Sequence, residues 1–235
     1  MTHKRGKVPL NRALSKLGVL SRAQATDAIR EGRVRVDGRV VRTAAALVTP
    51  ETARIEIDAR AVRRSSWRML LLHKPRAVMT TRRDPEGRPT VFDMLGAAGD
   101  GLVAVGRLDF ATSGLLLLTS DTQLANWLTD PANAIPRLYA VTVRGRVTPD
   151  TLSQLAATVT VRKASARESH LLVELREGKN RQVRRMFSAL GHEVSALKRV
   201  KFGPLELGAL TPGAHREIPR KEIANAFPRA PLRAI

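Results

Sequence analysis

Four leucines in succession, Leu115 to Leu118, stand between Gly114 and the polar turn Thr119-Ser120-Asp121. The run falls far short of the roughly 20 apolar residues a membrane helix needs. Bounded by turn residues, it reads as a strand buried in a sheet. Met69 to His73 reads the same way, and Val103 to Val105, Tyr139 to Val143 and Leu171 to Leu175 join them through apolar runs or alternation. Helices follow some of these strands. Thr148-Pro149 is an N-cap with proline at the first helical position and opens a helix through Leu155, while Asn180 opens another carrying Val183, Met186, Phe187 and Leu190 before Gly191 ends it. Strands not separated by regular crossovers favour an α+β sheet over a doubly wound one.

The first 58 residues follow a different plan. Leu10, Leu14 and Leu17 recur at i, i+4, i+7 and stop at Gly18, and Ser21 then caps a second helix with Ala25, Ala28 and Ile29 on one face and an end at Gly32. RVRVDGRVV alternates and turns at Asp37-Gly38, a strong hairpin signal. Asp58 to Trp67 has neither period and reads as a linker. The chain thus divides into a small domain over 8–58, a linker over 59–68 and a larger domain over 69–225.

Charge limits the partner. The chain holds 41 Lys and Arg against 21 Asp and Glu, a net +20. Such an excess points to a polyanion, because neutralising phosphates releases their counterions. Residues 1–68 carry 16 basic and 6 acidic side chains, so the small domain is the more densely basic part. Arg12, Lys16, Arg22, Arg30, Arg33, Arg35 and Arg39 lie on its polar faces and together suggest a phosphate-facing surface. Aromatics make up only 3%, which argues against serial base-stacking platforms. With no cysteine there is no disulfide, thiolate nucleophile or Cys-held zinc, in keeping with a reducing compartment, and the cytoplasm is the expected location. No membrane association is expected, since the N-terminal charges are followed by no apolar segment. The five histidines, His3, His73, His170, His192 and His215, show no metal-ligand spacing, so no metal is expected.

One residue of this pattern is out of place. In GRLDFATSGLLLLTSD, Gly106 and Gly114 bracket a tight loop between two buried strands, and Asp109 sits where the loop could meet a cleft. A carboxylate there is costly unless bonded or paired. An isolated Asp in a Gly-rich turn most often caps it, accepting from the amide of Thr112 or Ser113.

The company Asp109 keeps argues for chemistry. The stretch closely resembles the signature of the ribosomal RNA pseudouridine synthases, the RsuA and RluB group: Gly-Arg-Leu-Asp, then Thr-Ser-Gly-Leu-Leu-Leu and an acidic turn. LLHKPRAVMTT (71–81), TRRDPEGRPTVFDML (81–95), RLYAVTV (137–143) and EGKNRQVRRMFSALGHEV (177–194) resemble further blocks of the family in order. The basic N-terminal region, over about residues 8 to 58, resembles the small RNA-binding domain of ribosomal protein S-four. Ser120-Asp121-Thr122 departs from the family's Asn-Asp-Gly turn and Asp130-Pro131 from its His-Pro, which bears on subgroup more than on activity.

The resemblance implies an α+β catalytic domain with a mixed, mainly antiparallel sheet, and an isomerase that breaks the glycosidic bond of one rRNA uridine, turns the base and rejoins it through carbon without metal or organic cofactor. Asp109 matches the essential aspartate, as nucleophile at the sugar carbon or as base toward a glycal-like intermediate. Arg184 matches the arginine that pairs with it and would lower its pKa. Tyr139 matches the tyrosine that stacks on the target base; its other reading is a strand aromatic in the core. Arg107 matches the arginine that enters the helix in place of the extruded nucleotide. Lys74, Arg181 and Arg185 read as phosphate contacts from charge and position. The block RDPEGRPTVFD favours 23S over 16S rRNA as substrate, free or within a pre-ribosomal particle, with the enzyme a monomer. The alternatives are a 16S rRNA synthase of the same group and a non-catalytic rRNA-binding assembly factor.

Overall fold

The computed structural model describes residues 6–17, 19–20, 22–50, 52–62, 66–155 and 157–232. They fall into two compact units that divide near Trp67.

The smaller unit comprises β1 (Val8–Pro9), α1 (Leu10–Lys16), α2 (Arg22–Arg30), β2 (Val34–Val36), β3 (Arg39–Val40), β4 (Leu47–Val48), β5 (Ile55–Ile57) and β6 (Arg60–Ala61). Leu10 and Leu14 of α1 meet Ala25, Ala28 and Ile29 of α2 over Val34 and Ile55, the helical faces the leucine and alanine spacing sets. Asp37 (φ 50°) and Gly38 (φ 81°) both take positive φ, which closes the β2–β3 hairpin. The expected stop at Gly18, the cap at Ser21 and the side chain of Lys16 lie outside the described residues. The linker reading fails at its start: β6 pairs with β5, after a turn in which Asp58 and Ala59 both take positive φ, so residues 60 and 61 belong to this domain's sheet. An exposed two-residue edge strand carries no apolar period, which is why it read as linker.

The larger unit holds β7 (Met69–Lys74), α3 (Val91–Leu95), β8 (Val103–Ala104), β9 (Ser113–Thr119), α4 (Thr122–Thr129), β10 (Arg137–Arg144), α5 (Pro149–Ser153), β11 (Thr158–Ala164), β12 (Glu168–Leu175), α6 (Gln182–Ala189), β13 (Val194–Phe202), β14 (Leu205–Glu206), β15 (His215–Glu217) and α7 (Arg220–Ala226). One sheet runs β11-β12-β10-β13-β9-β7-β15, with β14 on β13 and β8 on β9. Its ladders are antiparallel except β13 on β9, so it is the mixed, mainly antiparallel sheet of an α+β domain.

β7 and β9 lie side by side and every residue from Gly114 to Thr119 and from Met69 to Lys74 is buried. Fully burying one leucine contributes about 1.5–3 kcal/mol, so this pair anchors the sheet. Leu70, Leu72, Leu116 and Leu118 pack with Val91 and Leu95 of α3, a helix opened by a capping box between Thr90 and Asp93. Across the sheet, Val141, Leu171, Val173 and Leu197 pack against Val183 and Phe187 of α6.

Several element boundaries differ from expectation. α5 ends at Ser153 rather than Leu155, with Thr148 capping it as anticipated. α6 begins at Gln182, because Arg181 takes a left-handed conformation (φ 47°) at its N-cap and so cannot lie in the helix that Asn180 was expected to open. β10 begins at Arg137, two residues before Tyr139. Among the described residues, no helix is long and apolar enough to cross a membrane.

Candidate active site

The parallel contact of β9 and β13 brings the loop before β9 close to the start of β10 and to α6. Gly114 makes the contact possible: at φ +110° it faces the backbone of Arg199, where a Cβ would collide with the Arg199 main chain.

The loop itself is fixed through its backbone. Five successive carbonyls each accept a hydrogen bond: Leu108 from the Thr80 hydroxyl (2.9 Å), Asp109 from the Thr112 amide (2.9 Å), Phe110 from the Ala77 amide (2.8 Å), Ala111 from Arg184 Nη2 (3.3 Å) and Thr112 from Lys74 Nζ (2.9 Å). The Thr112 amide is therefore held by the main-chain carbonyl of Asp109 and not by its carboxylate, so it is not the amide a turn-capping Asp109 side chain would hold. The half-buried carboxylate lines a cleft of about 330 Å³, together with Arg107, Tyr139, Arg137, Arg181 and Arg199.

Tyr139 is half-buried and packs against both hydrophobic clusters that flank the cleft. The core and cleft readings of this tyrosine thus both describe it: its ring is packed, and it still forms part of the wall. Arg107 is exposed at the rim, and Arg181 and Arg185 are exposed on α6 and its entry.

Two expectations are corrected. Lys74 has no exposed surface; its ammonium donates to the carbonyls of Pro75 and Thr112, each at 2.9 Å, so it cannot reach an RNA phosphate from this position. Burial pushes it down to about 8, partly opposed by the Asp109 carboxylate. Arg184 makes no direct ion pair with Asp109, and among the described residues no cation lies within 4.0 Å of that carboxylate. The Arg184 guanidinium is instead engaged by the carbonyls of Val194 (2.8 Å) and Ala111 (3.3 Å). Arg184 still feels Asp109: burial and repulsion from Arg181 push it below its ordinary value, the carboxylate works the other way, and Arg76 adds to the lowering.

The cleft also contains cations that sequence reasoning missed. Arg137 and Arg199, only 5% and 4% exposed, flank the ring of Phe202 with guanidinium carbons 5.1 and 5.3 Å from its centroid. Arg137 donates to the carbonyls of Arg176 and Leu128, and Arg199 Nε to that of Leu115, while Arg199 Nη2 and the Thr112 hydroxyl are buried without a partner. Burial, with repulsion from Arg199, pushes Arg137 down. Charge alternation along β10 and β13 gave no hint that these arginines turn inward. No group of three or more His, Asp or Glu among the described residues could hold a metal ion.

Comparison with known proteins agrees with this layout. Residues 68–189 match the family of RNA pseudouridylate synthases and residues 8–53 match the S4 domain. The chain is similar to a ribosomal large subunit pseudouridine synthase B of Pseudomonas aeruginosa, 40% identical over 91% of this chain and 60% of that one. It is similar to the protein of that name in Bacillus subtilis, 36% identical over 91% and 93%. A crystal structure of a pseudouridylate synthase covers 93% of this chain and 99% of its own, with 26% identity and a TM-score of 0.63. The chain belongs to the RNA pseudouridylate synthase family and carries an N-terminal S4 domain.

Proposed function

We propose that the chain isomerises a specific uridine of 23S rRNA to pseudouridine, with Asp109 as its catalytic carboxylate. The observation that carries the reading is the loop Leu108–Thr112: every carbonyl is held, so the Asp109 carboxylate stands in the cleft beside Tyr139 on a backbone that need not reorganise. The likeness to large subunit pseudouridine synthases of two bacteria supports ribosomal RNA of that subunit as substrate.

The reaction breaks C1′–N1, forms C1′–C5, takes a proton from C5 and returns one to N1. An ionised Asp109 begins it in one of two ways. It attacks C1′, forming a C1′–O bond as N1 leaves with the electron pair, and is displaced with that bond's electron pair when C5 of the turned base attacks C1′; or it removes the C2′ proton as N1 leaves and gives it back when C5 attacks. Either way the departing uracil is anionic, and the buried guanidinium groups of Arg137 and Arg199 at the cleft floor offset that charge. Tyr139 stacks on the base as it turns. Extruding the nucleotide costs a few kcal/mol, and Arg107 at the rim takes its place in the RNA helix. Arg181 and Arg185, with Arg12, Arg22, Arg30, Arg33 and Arg35 of the S4 domain, hold the phosphates; of these, Arg33 is already ion-paired to Asp58 (2.6 Å) and Glu31 (3.1 Å) and contributes least. The enzyme acts in the cytoplasm as a monomer, on rRNA free or in a pre-ribosomal particle, and uses no cofactor.

The test is to map pseudouridine in rRNA from cells with and without the gene, and to measure tritium release from 5-tritiated uridine in 23S rRNA by the chain and by Asp109→Asn. One pseudouridine should disappear from 23S rRNA, and the substitution should slow release by at least about 10²–10⁴-fold. Unchanged rRNA, or full activity in Asp109→Asn, overturns the reading.

A further inference from the structure

Phe110 follows Asp109 directly in the chain and is 41% exposed. Among the described residues no other aromatic side chain is as open to solvent. A single exposed apolar residue is ordinary on a protein surface, but this one is held in place. Its carbonyl accepts from the Ala77 amide at 2.8 Å, and the carbonyls of Asp109 and Ala111 on either side are engaged as well. Its ring lies under the guanidinium of Arg88, 5.9 Å from the centroid. Each of the three nitrogens of that guanidinium is already met by a carboxylate: Nε and Nη2 by Asp84 at 3.0 and 2.8 Å, and Nη1 by Glu86 at 3.0 Å. Asp84 also accepts from the amides of Glu86 and Arg88, which fixes the turn that carries them. The charge of Arg88 is thus matched twice over, and what it offers Phe110 is a flat, fixed backing.

We infer that Phe110, backed by Arg88, is a stacking platform for the base of a nucleotide adjoining the target in the substrate RNA. The assignment rests on the proposed action on RNA. Phe110 is not part of the wall of the Asp109 cleft, so the base it takes is not the target uracil that Tyr139 meets inside. Consecutive Cα atoms lie about 3.8 Å apart, so a strand whose extruded nucleotide sits at Asp109 has a neighbouring nucleotide within reach of the Phe110 ring. Extruding the target strips a neighbouring base of one stacking face, and that loss is part of the cost of extrusion. The Phe110 ring is the apolar surface beside Asp109 that can replace the lost face. Every base has a face that stacks on an aromatic ring, so the platform adds affinity and position without reading sequence.

The test uses the full chain and in-vitro-transcribed 23S rRNA, with binding measured by filter retention from low to physiological salt. Phe110→Ala should bind at least about 5-fold more weakly at every salt concentration, the loss of one base stack, while the slope of log K against log salt stays that of the parent because no phosphate contact is removed. Phe110→Trp should restore the affinity, and the introduced indole should lose emission on RNA addition beyond any change in the parent, which carries Trp67 and Trp127. Phe110→Leu, apolar but without a ring face, should stay near Phe110→Ala. Val161→Ala, at an exposed apolar site on edge strand β11, should bind as the parent does. Parent affinity in Phe110→Ala overturns the platform and leaves the ring to a protein partner. So does full rescue by Phe110→Leu, which would mean apolar packing alone, or a reduced salt slope in Phe110→Ala, which would mean that the ring only positions nearby arginines. An unquenched indole in Phe110→Trp, or an equal loss for Val161→Ala, overturns it too. The readouts are binding and emission, so a chain that stacks in this way yet makes no pseudouridine defeats the catalytic reading alone, and pseudouridine formed with parent affinity in Phe110→Ala defeats the platform alone.

Discussion

The ammonium of Lys74, with no surface exposed, donates at 2.9 Å to the carbonyl of Thr112, three residues beyond the Asp109 carboxylate. A lysine that reads as a phosphate contact in the sequence is a buried strut beneath the loop that carries Asp109. Burial holds it at about 8, against an ordinary 10.5, so between these values the unfolded chain binds more protons at this site than the folded chain. Stability must then rise with pH from about 8 toward 10.5, by up to about 1.4 kcal/mol per pH unit, and below 8 the full cost of the buried charge is present. Subtracting the urea-derived stability of Lys74→Met isolates this group. The difference between parent and variant should grow in the parent's favour from pH 8 to 10; a flat difference rejects the coupling.

Thr80 holds the other end of the loop. Its hydroxyl donates to the Leu108 carbonyl at 2.9 Å and accepts from the Leu108 amide at 3.3 Å. Thr80→Val keeps the shape and removes both bonds, which should lower stability by about 1–3 kcal/mol. Small displacements of a reacting group cost up to about 100-fold in rate, so single-turnover tritium release should slow by about 10-fold or more. Loss of stability without loss of rate would mean that the loop's position does not depend on this brace.

How far the sequence discloses this site depends on period and on charge. Strands β7 and β9 are legible because both faces are buried and their apolar runs are unbroken. The nine-residue β13, central to the sheet, is hidden in VSALKRVKF: register shifts against β10 near Tyr139 and Val143 break the alternation, and the inward Arg199 sits where a hydrophobe is expected. β11 is an exposed edge strand with Val161 39% accessible, so no buried face marks it. Asp109, Tyr139 and Arg107 stand out because an acid, an aromatic and a base interrupt apolar or glycine-rich patterns at the cleft. Nothing local distinguishes the buried Arg137, Arg199 and Lys74 from solvated charges. Their burial is decided by tertiary contacts with carbonyls far along the chain, Thr112 for Lys74 and Leu115 for Arg199.

Gly114 is the joint on which those contacts depend. Its φ of +110° is a conformation L side chains rarely adopt, and an added Cβ would press on the Arg199 amide nitrogen at 2.6 Å, in main chain that cannot turn aside. Gly114→Ala should therefore cost at least about 3 kcal/mol, combining backbone strain with overpacking. Urea unfolding measures it. A loss below about 1 kcal/mol would show that β9 and β13 can separate without penalty.

The S4 domain should supply capture and not the fold of the catalytic domain. The larger unit has its own clusters, around Leu116 and Val91 and around Phe187 and Val173, so a chain lacking residues 1–66 should keep its circular dichroism and a cooperative transition. Its grip on rRNA should weaken, because the exposed Arg12, Arg22, Arg30 and Arg35 go with the deleted part. If three or more of these contact phosphates, the salt slope should fall by about 2 or more, since each contact contributes about 0.7–0.9. Filter binding across a salt series reads the slope and tritium release at saturating RNA reads the chemistry. A truncated chain that binds with the parent's slope would move the principal phosphate surface to the catalytic domain, and one that fails to fold would make the two units a single cooperative structure.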